Sequence, residues 1–233
     1  MKQLLLLHGA IGAKDQLRNF ETTLKDSFDI HTINFSGHGG EPFTTAEFSI
    51  PHFANEVLHY LDKNNIESIN LFGYSMGGYV AMYLAKHHPA KVESVITLAT
   101  KFHWDETTAA KEMKMLDAEI IQQKVPAFAE QLKQRHAPND WKELLQKTRE
   151  LLFGLGQNNT LQLADYSSIN SPCLLLLGDH DKMITLDETV NVYKQLPKGQ
   201  LGILPATAHP IEQINVSLLA SLIMNFLNSS ELN

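Results

Sequence analysis

The pentapeptide Gly73-Tyr74-Ser75-Met76-Gly77 sets a serine between glycines directly after the apolar run Ile69 to Phe72. A strand that turns sharply into a helix at such a serine holds the hydroxyl out as a nucleophile, an arrangement called a nucleophile elbow. The glycines have a steric reason, because a Cβ two residues before or after the serine would strike the neighbouring strand or helix. Gly78 adds room for close packing. The expected helix, Met76 to His88, starts at Ser75, where free backbone N–H groups and the macrodipole favour negative charge. The same string also occurs as an ordinary serine cap on a helix, so its meaning depends on partners elsewhere in the chain.

A hydroxyl nucleophile needs a base to take its proton, a carboxylate to orient that base, and donors for the oxyanion. The base candidate is His209 in Ala206-Thr207-Ala208-His209-Pro210, which follows an expected strand, Gly199 to Leu204. Two acid candidates, Asp179 and Asp181, end the apolar run Cys173 to Leu177, which suits a buried parallel strand. With either one, the order along the chain is serine, acid, histidine. For the oxyanion, Gln3 to Leu7 reads as a strand ending in His8-Gly9-Ala10, and the Ala10 N–H would pair with that of Met76.

His8-Gly9, Gly37-His38-Gly39, the turn at Ser75, Gly178-x-x-Asp181 and His209 together resemble the landmarks of the α/β-hydrolase fold superfamily, in the same order and over nearly the whole chain. The resemblance implies a three-layer α/β-hydrolase fold with a mostly parallel sheet of about six strands and a helical cap insertion. It also implies a small capped serine hydrolase without a cofactor. The family pattern places the acid three residues after Gly178, which favours Asp181 over Asp179. Two departures are visible. Many relatives carry an acid and a basic residue or proline near the Gly37-His38-Gly39 loop where this chain has Asn34 and Ser36, so different bracing is expected there. Relatives also open with an antiparallel hairpin, whereas Met1 and Lys2 already begin the first strand; the sheet is expected to lack that hairpin. Phe28 to Ile33 then forms an exposed edge, either paired with a second copy of the chain as a homodimer or protected by loops.

The remaining chain alternates strands and helices. Helices are expected at Asp15 to Lys25, Pro51 to Asn64, Leu186 to Gln195 and Ile211 to Asn228, the last with Ile211, Ile214, Leu218, Leu222 and Phe226 along one face. Val92 to Leu98 supplies the strand after the Ser75 helix. Between it and the Cys173 strand lie roughly 70 residues, Ala99 to Ser171, far more than a crossover requires. A cap at residues 102–168 over a core of 1–101 and 169–233 accounts for them. Its expected helices are Asp105 to Gln123, one opened by Pro126, one capped by Asn139 or Asp140, and one within Glu150 to Leu163. Phe102, His103, Trp104, Met113, Phe128 and Trp141, with Phe153, are the candidates for lining a substrate pocket, although aromatic and methionine side chains at helical spacing also serve as plain cap core.

At 233 residues and 43% hydrophobic content the chain has material for one well-buried domain with an insertion. A net charge of −7 without a long basic run argues against nucleic acid or anionic membrane as partner. The apolar run after Lys2 stops at His8, short of a signal peptide, and nothing approaches the length of a membrane span. The single Cys173 cannot form an internal disulfide, reads as a small core residue, and fits a cytoplasmic location. Eleven histidines raise the question of a metal, but His87-His88 are adjacent on a helix and point apart, and the aspartates beside His180 serve as acid candidates; no metal is expected. The expected reaction is cleavage of a small carboxylic ester or thioester through an acyl-enzyme. The rivals are a C–C bond hydrolase or lyase acting on a small oxo acid or diketone, and a slow-turnover small-molecule binding protein. Dehalogenases resemble the chain too, but carry aspartate in place of Ser75.

Overall fold

The computed structural model describes residues 1–229. Six strands form one wholly parallel sheet: β1 (Lys2–Leu7), β2 (Phe28–Thr32), β3 (Ile69–Tyr74), β4 (Val92–Leu98), β5 (Cys173–Gly178) and β6 (Gly199–Leu204), in the spatial order β2-β1-β3-β4-β5-β6. β2 is an edge, as its place in the sequence implies, and β6 is the other.

A parallel sheet is covered on both faces, and the alternation of residues along each strand shows which helices cover which. Leu5, Leu7, Leu71, Val95, Cys173 and Leu175 pack against α2 (Ile50–Lys63), α3 (Met76–His87) and α8 (Leu186–Tyr193). Leu4, Leu6, Phe72, Ile96, Leu174 and Leu176 point to the opposite face, against α1 (Arg18–Leu24) and α9 (Val216–Ser229). Three layers result, with Cys173 inside the core and its thiol pushed up to about 12 by burial.

Side-chain caps decide where several helices begin. The Ser49 hydroxyl accepts the His52 N–H at the start of α2, with Pro51 in the first turn. The expected helix Ile211 to Asn228 is divided into a 3₁₀ turn, Ile211–Gln213, and α9, because Ile214 is extended and the Asn215 side chain accepts the Leu218 N–H. The expected helix Asp15 to Lys25 likewise opens as a 3₁₀ turn, Lys14–Leu17, before α1.

Four helices join β4 to β5: α4 (Glu106–Lys114), α5 (Ala118–Lys124), α6 (Pro126–His136) and α7 (Trp141–Gln157). Where one helix is expected from Asp105 to Gln123, the structure has two, since the Asp117 carboxylate accepts the Ile120 N–H and starts α5 afresh. Asp140 caps α7, and the helix expected at Glu150 is the continuation of α7 rather than a separate element. Among the described residues no helix is long and apolar enough to cross a membrane.

Candidate active site

Ser75 occupies the left-handed region, with φ of 51°, between the end of β3 and the start of α3. A residue with a Cβ is strained there, and the surroundings hold it: its N–H donates to the Leu98 carbonyl at 2.8 Å, and its carbonyl accepts from Gly78 N–H at 3.0 Å and from Thr100 Oγ1 at 3.1 Å. The glycines are sterically required. A Cβ on Gly73 would lie 2.3 Å from the Gly77 carbonyl oxygen, and one on Gly77 would lie 2.4 Å from the Leu7 carbonyl oxygen on β1. Gly9 also lies beside Ser75, since a Cβ there would lie 3.3 Å from that of the serine.

The turn after β5 separates the two aspartates. Asp181 Oδ2 is 2.8 Å from His209 Nδ1, and Asp181 Oδ1 accepts the N–H groups of Met183 at 2.8 Å and Ile184 at 3.0 Å. Burial alone would raise the Asp181 carboxyl, but the His209 hydrogen bond and the Ile184 and Met183 N–H groups outweigh it and hold the group below the usual carboxylate range. Asp179 is exposed, and its carboxylate accepts the Thr207 N–H, which lowers it as well. Asp181, not Asp179, therefore contacts the histidine. The Tyr74 hydroxyl donates to the His209 carbonyl at 3.1 Å and so ties the histidine loop to the strand that carries Ser75.

Ser75, Met76, Gly9, Ala10 and His209 all open onto one cavity of about 940 Å³. Of the sequence-predicted pocket residues, Trp104 and Phe128 line it. The others lie elsewhere. Phe102 is buried in the core, 5.8 Å from the Tyr166 ring, and Met113 packs on that core. His103 is exposed beside Asp105, and Phe153 is exposed on α7. Trp141 belongs to a small cluster among the inserted helices, with Ile121, Leu132 and Leu145. Leu151, Leu152 and Leu155 of α7 supply much of the apolar wall instead. Among the described residues no group of three or more His, Cys, Asp or Glu side chains is arranged to hold a metal ion.

A family model described as alpha/beta hydrolase fold matches residues 2–154. The chain belongs to the α/β-hydrolase fold family. Its relatives include a Mycoplasma pneumoniae protein that bears the provisional name esterase/lipase 3, 26% identical across 88% of this chain and 79% of that one. They also include a pimeloyl-[acyl-carrier protein] methyl ester esterase of Neisseria meningitidis, 24% identical across 97% of this chain and 94% of that one. Among solved structures, MenH from S. aureus superposes with a TM-score of 0.79 at 22% identity, covering 99% of this chain and 94% of its own. With relatives named in these terms, the chain is an α/β-hydrolase enzyme. The family match includes Ser75 and ends before Asp181 and His209.

Two further histidines shape the hydrolase's site. His8 Nδ1–H donates to the Gly9 carbonyl at 2.8 Å, and its Nε2 accepts the Phe35 N–H at 3.1 Å. His136, at the end of α6, repeats the pattern: Nε2–H donates to the Ile11 carbonyl at 3.0 Å, and Nδ1 accepts the Gly39 N–H at 3.0 Å. Each imidazole thus bridges the loop after β1 to the loop after β2, on either side of Ala10. Because the Gly9 carbonyl and the Ala10 N–H share one planar peptide, the His8 bond also fixes where that N–H points. Burial pushes both rings down to about 4, against the effect of their carbonyl partners, so they remain neutral. Asn34 and Ser36 brace the second loop: Asn34 Nδ2 donates to the Gly39 carbonyl, and Ser36 N–H donates to Glu56 Oε2. His136 and Thr100 had no signal in the sequence, since each acts through a backbone group of a distant turn.

Proposed function

We propose that this hydrolase cleaves a small carboxylic ester or thioester, with Ser75 as nucleophile, His209 as base and Asp181 as its orienting acid. The observation that carries the reading is the 2.8 Å bond between His209 Nδ1 and Asp181 Oδ2, with His209 lining the same cavity as Ser75. With Nδ1–H committed to the carboxylate, Nε2 is the acceptor nitrogen, and it takes the Ser75 proton as the oxygen attacks the carbonyl carbon. The N–H groups of Ala10 and Met76 receive the oxyanion, and the start of α3 adds its dipole. His209 then returns the proton to the leaving alcohol or thiol. Water, deprotonated by the same nitrogen, cleaves the acyl-enzyme.

In this reading the helices within residues 102–168 are a cap that excludes water from the acyl-enzyme, and residues 1–101 with 169–233 are the catalytic core. The substrate is a small acyl compound, no cofactor takes part, and the enzyme works in the cytoplasm, in keeping with its one buried, unpaired thiol. Esterase names among the relatives support the ester reading.

A fluorophosphonate probe, used together with p-nitrophenyl esters of increasing acyl length, tests this. The expected result is labelling of Ser75, an optimum in chain length, and loss of both in Ser75→Ala, with turnover down on the order of 10⁴- to 10⁶-fold. Absence of labelling together with turnover of a small oxo acid or diketone would replace ester hydrolysis with C–C cleavage or elimination. Saturable ligand binding indifferent to Ser75→Ala, without any turnover, would make the protein a receptor.

A further inference from the structure

The cavity wall carries an ion pair that the proposed chemistry does not use. Lys101, just past β4, and Glu112, on α4, both line the cavity, and their charged atoms are 3.6 Å apart. Their side chains are 12% and 6% exposed. Lys101 Nζ also donates to the Met183 carbonyl at 2.8 Å and lies 5.9 Å from the centre of the Trp104 ring.

Burying two charges carries a desolvation cost that is offset only where the remaining protons and lone pairs find partners. This pair is short of them. At 3.6 Å the contact is too long for a hydrogen bond. Among the described residues Glu112 has no other polar side-chain contact, and the Trp104 indole N–H beside Lys101 is buried without an acceptor. An ammonium group has three protons, of which the Met183 carbonyl takes one. A spare donor and a spare acceptor therefore sit side by side on the cavity wall.

Charge decides what they suit. A carboxylate approaching Lys101 would meet Glu112, and an ammonium approaching Glu112 would meet Lys101; the pair is neutral as a unit. A neutral group that both accepts and donates meets neither repulsion, and a hydroxyl is the smallest such group. We propose that Lys101 and Glu112 bind a substrate hydroxyl, Lys101 donating to its oxygen and Glu112 accepting its proton, so that the preferred substrate is a hydroxylated ester or thioester. The inference rests on the hydrolase reading only in assigning that hydroxyl to a substrate.

The test is calorimetric titration of the Ser75→Ala protein, which holds an ester without being acylated. The ligands are methyl hexanoate and its four isomeric derivatives hydroxylated at the third to sixth carbons. One isomer is expected to bind about 10- to 100-fold more tightly than methyl hexanoate, the range for a hydrogen bond to a charged group. In the same protein, Lys101→Met combined with Glu112→Leu should bring the hydroxylated and plain esters to parity, since that pair of changes leaves no lone buried charge. Equal affinity for all five ligands in folded Ser75→Ala protein overturns the proposal and leaves the hydrolase reading intact. A hydroxyl preference in the titration, beside native protein that turns over no ester, supports the hydroxyl site and removes the ester reaction.

Discussion

Asp179 and Asp181 occupy the same turn, and their contacts separate their roles. Asp181 faces His209 with one oxygen and two backbone N–H groups with the other, whereas Asp179 accepts the Thr207 N–H from an exposed position. Asp181→Asn would set an amide N–H against His209 Nδ1 and force the ring into the tautomer that cannot accept the serine proton. Turnover should fall on the order of 10³- to 10⁴-fold with the fold retained. Asp179→Asn keeps an oxygen for Thr207 and should hold turnover near normal. Steady-state rates of the two variants on one p-nitrophenyl ester decide between them, and the reverse ranking would move the acid to Asp179. Ser75 was legible from its neighbours because the steric demands of a tight turn are local. The choice of acid was not legible from the residues themselves, since two carboxylates so close in one turn differ only in direction. Lys101 and Glu112 were less legible still: their pairing depends on α4 folding back over the end of β4.

The element that holds Ser75 is a strand-to-helix junction in which α3 approaches β1 at Gly77. A methyl group there would lie 2.4 Å from the Leu7 carbonyl oxygen and 2.7 Å from that of His8, both backbone atoms that cannot move independently of the sheet. Gly77→Ala should therefore cost at least about 1–3 kcal/mol and reduce turnover as well, because relieving the clash shifts the Met76 N–H against Ala10. Gly154 is the contrasting case. It lies exposed within α7, with nothing within 4 Å of a Cβ. Gly154→Ala should add about 0.5–1 kcal/mol through helix propensity alone. Denaturant midpoints measure both, and a Gly77→Ala protein as stable as the parent would refute the tight approach of α3 to β1. Strands and core helices were legible because burial on both faces writes a short apolar run into the sequence and burial on one face writes a period. The inserted helices were read less well. Their ends depend on which of many polar residues turns back to cap the backbone, as Asp117 and Asp140 do, and their aromatic side chains divide between cavity and local core by the packing of one helix on another.

At the scale of the whole molecule, the loops around the site and the inserted helices are joined through buried neutral imidazoles. His8, His38 and His136 form a chain of rings 5.0 and 5.9 Å apart, and burial holds all three below the ordinary histidine range, His8 and His136 at about 4. In the unfolded chain each ring takes a proton near pH 6.5. A group whose folded pKa is depressed in this way favours the unfolded state once that state is charged and the folded one is not. Stability should be complete above about pH 6.5 and fall toward pH 4, by about 1.4 kcal/mol per pH unit for each histidine within that window. Asp181, also held low, begins to lose its contribution only when the pH falls into the ordinary carboxylate range, and so acts in a later, more acidic step. The losses are not spread evenly over the molecule. Protonating His136 replaces the acceptor of the Gly39 N–H with a second donor, which repels α6 from the loop that it braces. As pH is lowered from 7 toward 4, ester turnover should therefore decline before far-ultraviolet circular dichroism is lost, and urea midpoints should fall in parallel with the histidine window. Midpoints that stay level from pH 7 to 5 would mean that the imidazoles are charged in the folded protein, and that the bridges from His8 and His136 to the backbone N–H groups of Phe35 and Gly39 do not form.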